Sequence, residues 1–223
     1  MSYTPCQNDV PSMNALKDCY APAYGGLLVA AIGFPLTAIQ SYSRGGTNAT
    51  KNQVSNITLN DYSNVFAVEA SGETPWESTA EEFDSATSTY NKTVHFIAPT
   101  HGAGFTGEFI EPILRNKDGY VFILQRKDKN GDCSFPIIGL EKGAVGASGS
   151  LDYNSSDTGG CYELELTESN APSGELDLVA DDGSTDYAST LVAFEELAGK
   201  VMNNPTRKTN NADLSVTDMA SVS

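Results

Sequence analysis

Gly102-Ala103-Gly104-Phe105-Thr106-Gly107 is the stretch of the chain whose spacing most invites chemistry. It matches Gly-x-Gly-x-x-Gly, in which glycines let backbone N–H groups approach a pyrophosphate at a helix N-terminus. A strand over 90–98 precedes it, a helix over 105–115 follows, and Asp128 lies beyond the next strand. Three features oppose a nucleotide site. The helix is short and carries Pro112. Pro99-Thr100-His101 separates the strand from the first glycine, where the fingerprint needs a tight turn. Only strands follow, without a second strand-helix-strand unit. A plain strand-to-helix connection is the expectation, and a dinucleotide enzyme is the least favoured reading.

Other reactive types are sparse. His95 and His101 are the only histidines, and neither sits at ligand spacing from a carboxylate or cysteine set. His95 alternates with Val94 and Phe96, which predicts a solvated or interface side chain. Neither Gly-x-Ser-x-Gly nor His-Glu-x-x-His occurs. The runs 128–132 (DKNGD) and 181–186 (DDGSTD) suggest calcium but lack the twelve-residue EF-hand spacing, so turns are expected. Glu77, Glu81, Glu82 and Asp84 offer paired carboxylates. Their neighbours are polar, with only Trp76 and Phe83 as aromatic platform, so a solvated segment is expected. Cys6, Cys19, Cys133 and Cys161 contain no Cys-x-x-Cys pair. Without a leader-like N-terminus they read as free thiols in a reducing cytoplasm, and the sequons at Asn48, Asn56, Asn91 and Asn154 then carry no glycan. The expectation is therefore no catalytic, cofactor-binding or metal-ligating residue, no cofactor, and no enzyme.

The elements that would position any site are mostly strands. The apolar run 25–39 is too short for a membrane span and is broken by Pro35, so it predicts one or two buried strands and no membrane insertion. A polar loop is expected over 41–53. Strands over 54–59 and 65–70 are expected to form a hairpin across Asn60–Asn64. The acidic stretch 72–88 reads as a short capped helix or a long loop. Strands follow over 90–98, 119–127, 133–140, 144–153 and 161–167, with a hairpin turn at 128–132. Their spacing predicts a sandwich or barrel. Leu191, Phe194, Leu197, Ala198 and Val201 share one face of a helix over 187–202, and Pro205 stops it. The organisation expected is an extended arm over 1–24, a β-sandwich domain over 25–183, and a C-terminal helix with a polar tail over 184–223.

The 223 residues hold 13 basic and 29 acidic side chains, a formal net charge of −16. Such a chain repels phosphate and does not bind nucleic acid or an anionic membrane through charge.

The order of these segments is distinctive. Cys6, Asp18-Cys19 and Gly25-Gly26 lead into an apolar strand. VSNITL, a strand and the acidic segment with Glu81 and Glu82 follow, then YNKTVHFIAP and the helix FIEPILRN. From Phe135 to Glu168, an aromatic and Ile138-Gly139-Leu140 lead to a Gly/Ser-rich strand, an acidic loop and YELEL. Over roughly residues 6 to 170 this order resembles tail-tube-like structural proteins of tailed phages infecting Bacteroidetes, including crAss-like phages. The resemblance implies a mainly β sandwich or barrel of tail-tube type, with one flanking helix and a C-terminal helix. It implies a homo-oligomeric ring, hexameric or dodecameric, built by inter-subunit strand pairing and extended arms. Adjacent tail or neck rings and portal-proximal proteins are the implied neighbours, and DNA passes through the lumen without sequence-specific binding. It places the protein in the virion, assembled in the host cytoplasm, and leaves tail tube and neck ring open. The alternative reading is a carbohydrate- or receptor-binding β-sandwich of a fibre or surface, although Trp76, Tyr90 and Tyr153 do not obviously converge.

Overall fold

The computed structural model describes residues 27–47, 50–60, 64–69, 76–84, 89–98, 102–126, 134–154, 160–180 and 187–202. In chain order these form β1 (Leu27–Pro35), a 3-10 turn (Leu36–Ala38), β2 (Ile39–Arg44), β3 (Gln53–Leu59), β4 (Phe66–Glu69), β5 (Trp76–Asp84) and β6 (Thr89–Ala98). A helical run follows as α1 (Ala103–Phe105), a π turn (Thr106–Ile110) and α2 (Glu111–Arg115). Then come β7 (Tyr120–Arg126), β8 (Pro136–Ile138), β9 (Val145–Leu151), β10 (Tyr162–Ala171), β11 (Leu176–Leu178) and α3 (Tyr187–Met202). The protein is mainly β, as expected.

The strands make two sheets. A seven-stranded sheet runs β2-β3-β11-β8-β7-β1-β4, and a four-stranded sheet runs β5-β6-β10-β9. Pairing is antiparallel throughout except between β11 and β3. β7 explains why two sheets and a helix assemble. Its six residues Tyr120 to Gln125 are all buried, so both faces of the strand need cover. Tyr120, Phe122 and Leu124 join Val94, Phe96, Leu164 and Leu166 of the smaller sheet, with Ile110 and Ile113 of the helical run. The Phe96 and Phe122 rings lie 6.0 Å apart across that interface. Val121 and Ile123 face the other way, into a core with Phe34, Val54, Phe135 and Ile137 that Phe194 and Leu197 of α3 complete. Phe135 lies against both Tyr187 (5.7 Å) and Phe194 (5.1 Å). Each fully buried Phe contributes about 1.5–3 kcal/mol by leaving water.

Three local expectations give way. Strands β3 and β4 do not form a hairpin: β3 pairs with β2 and β11, and β4 pairs with β1. Turn-forming residues between two strands do not choose the partner of either. The expected polar loop 41–53 contains the end of β2, whose residues Gln40 to Ser43 are exposed. An edge strand solvated on both faces carries no hydrophobic alternation to reveal it. The acidic stretch 72–88 holds β5, which pairs with β6 along Trp76–Asp84. A tertiary partner overrides weak local propensity there. Pro112 lies within the helical run as anticipated. A π turn precedes it, and Glu111 N–H donates to Thr106 O at its end. Pro112 therefore falls in the first turn of α2, where a missing N–H costs little.

Candidate functional site

Two strands of the smaller sheet each carry one charged residue in their buried phase. On β6, Lys92 shares its side with Val94, Phe96 and Ala98; on β10, Glu168 shares its side with Leu164 and Leu166. The two are direct cross-strand partners. Lys92 is 2% exposed and Glu168 0%, and Lys92 Nζ lies 3.3 Å from Glu168 Oε2. That contact is an ion pair without hydrogen-bond geometry, and Nζ finds no hydrogen-bond partner among the described residues.

The carboxylate of Glu168, by contrast, is fully engaged. Oε2 accepts from Gly139 N–H at 2.9 Å, and Oε1 accepts from Glu141 N–H at 3.1 Å and Lys142 N–H at 3.0 Å. These donors lie on the turn that leaves β8 in the larger sheet and enters β9 in the smaller one. Gly139 has φ 88°, and an added Cβ would overlap Tyr120 O, so the turn requires glycine there. A second carboxylate stands on the same turn. Glu141 Oε1 accepts from Arg44 Nη1 at 2.7 Å and from Ser173 Oγ at 2.8 Å, and its Oε2 accepts from Ser173 N–H at 3.1 Å. Arg44 also donates to Lys51 O and to Ser173 Oγ. The cluster thus ties β2, the turn 139–143, β6 and β10 together. Charge-assisted bonds in a dry setting are strong, but two buried charges also carry a desolvation penalty of several kcal/mol each.

The opposite side of β6 and β10 is polar. His95 Nε2 lies 2.7 Å from Glu163 Oε1, Thr93 and Thr167 hydroxyls meet at 3.0 Å, and Ser148 and Ser150 of β9 reach Glu165 and Glu163. Beside it, β9 and β5 end the four-stranded sheet. Val145–Leu151 contains no charged residue and no proline. Its inner side lies against the helical run, where Gly146 and Gly149 leave room for Leu114.

The residues singled out in the sequence are distributed as follows. Gly102 caps the helical run and Ala103–Gly107 lie inside its first turns, with Gly104 and Gly107 facing open space. β6 and β7 belong to different sheets, so the parallel strand-helix-strand unit of a dinucleotide site is not formed. His95 pairs with Glu163, while His101 lies outside the described residues. The backbone of Trp76, Glu77, Glu81, Glu82 and Asp84 lies in β5. Runs 128–132 and 181–186, and Cys6, Cys19 and Cys133, fall outside the described residues; Cys161 carries a free thiol. Among the described residues no group of three His, Cys, Asp or Glu could hold a metal, and no helix is long and apolar enough to cross a membrane. Lys92 and Glu168 were not anticipated. Their signal is a charge in phase with apolar residues of a period-two strand.

No family model matches the chain, and neither a curated protein nor a solved structure matches it.

Proposed function

We propose that the chain is a structural virion subunit of a tailed bacteriophage that forms a homo-oligomeric ring of the tail or neck. The four-stranded sheet carries this reading. It is antiparallel throughout and has an even number of strands, so β5 and β9 run in opposite directions. A second copy placed alongside meets β9 with its own β5 and continues the antiparallel alternation. Such a head-to-tail contact is heterologous and closes into a ring when the rotation per copy divides a full turn. Among the described residues β5 and β9 each pair on one side only, and the N–H and C=O groups of the other side supply the adhesion. Register shifts in both edge strands, at Thr79/Glu82 and beside Ala147, restrict pairing to a partner that fits them. The formal charge of −16 suits a wall past which DNA slides without sticking. The order of sequence segments supports the tail-tube type of this fold. Hexameric or dodecameric closure, neighbouring tail, neck or portal-proximal proteins, and assembly in the host cytoplasm belong to the same proposal.

Proline in β9 tests it. Ala147 is exposed and has no Cα partner on β10, because the register shifts there. Ala147→Pro is expected to leave the subunit folded by circular dichroism and to abolish ring assembly. Rings that form unchanged in this variant would exclude β9 as the joint.

A further inference from the structure

We infer that Lys92 and Glu168 are the substrates of an intramolecular condensation that joins β6 to β10 by an isopeptide bond. The observations meet the needs of that reaction in turn. The amine and the carboxyl group are held against each other, 3.3 Å apart, on directly paired residues. Fixed juxtaposition replaces an encounter in solution and raises the effective concentration of the two groups. Both side chains are excluded from water, and a dry site favours loss of water from the pair. The neutral amine is the nucleophile. Among the described residues Nζ has no hydrogen-bond partner to hold it away from the carboxyl group.

The turn supplies the rest. Glu141 and Lys142 N–H groups bind Oε1, where negative charge develops when Nζ attacks Cδ. Gly139 N–H binds Oε2, the oxygen next to Nζ, and supports its departure. The Nζ–Cδ bond forms and the Cδ–Oε2 bond breaks. Oε2 leaves as water, taking two protons from the ammonium–carboxylate pair. No oxidant or further reactant is needed. The product replaces two buried charges by one neutral amide, whose oxygen keeps the two N–H donors of Glu141 and Lys142. Gly139 N–H loses its acceptor, and removal of the buried charges offsets that loss.

Intact-mass spectrometry of the purified full-length protein tests this directly. The folded protein is expected to weigh one water molecule less than its sequence. Trypsin should fail to cleave after Lys92 and should release the Lys92 peptide joined to the Glu168 peptide. Lys92→Arg, which keeps the charge, should show the full sequence mass. A wild-type mass equal to the sequence overturns the inference. So does a water loss that persists in Lys92→Arg or maps elsewhere, for example to a cyclic imide at Asp118-Gly119. The wild-type measurement decides even if the variant does not fold.

Discussion

Glu141 gathers one guanidinium, one hydroxyl and one backbone N–H around a carboxylate that is 7% exposed. Removing it leaves Ser173 N–H without its acceptor and Arg44 without its counter-charge. Glu141→Ala is expected to lower stability by about 1–3 kcal/mol, read as the shift in urea midpoint at unchanged slope. Gly33→Ala tests packing on the far side of β1, where an added Cβ would run into the Phe66 ring. Overpacking of this kind costs about 1–3 kcal/mol. Tyr120 gives a pH handle. Burial raises its phenol pKa above 10.0, and a hydrogen bond with Asn116 pulls it back in part. The folded state therefore holds this proton more tightly than the unfolded chain. Its contribution is fully present below the unfolded value of about 10 and is lost as pH rises through the folded one. Tyr120→Phe should flatten the decline of stability as pH rises above about 10, measured by denaturant titration at each pH.

At the scale of elements, α3 and β9 carry separate burdens. α3 closes the second core through Phe194 and Leu197. Phe194→Ala should cost about 3–5 kcal/mol and expose apolar surface that binds a hydrophobic dye. β6, β7, β10 and α3 were legible in the sequence because each is buried with a clear period. Their alternation, or an unbroken apolar run in β7, is imposed by the cores themselves. β2, β5 and β11 were not legible. β2 is solvated on both faces, β5 is acidic, and β11 is three residues long. Partner choice was hidden too, because β3 looks the same whether it pairs with β4 or with β2. The Lys92–Glu168 pair was legible in principle, through strand phase. The three N–H donors on Glu168 were not, since they depend on a turn whose backbone path no side-chain pattern encodes.

For the whole molecule, the formal charge of −16 on 223 residues sets the terms of association. Like-charged subunits repel, and salt screens that repulsion over a Debye length of about 10 Å at 0.1 M. Assembly through uncharged β9 is therefore expected to strengthen between low and moderate salt. Binding to DNA driven by surface charge would weaken over the same range. The two sheets, tied at the turn 139–143, present one acidic and hydroxyl-bearing face and two strand edges of opposite direction. The proposed ring repeats that unit.

Native mass by light scattering, with negative-stain images of the same full-length sample, reports ring assembly itself. Closed rings or stacked tubes are expected at moderate salt, dispersed to 23.7 kDa subunits by Ala147→Pro. A wild-type protein that stays a 23.7 kDa monomer at every concentration and salt, indistinguishable from that variant, would contradict it.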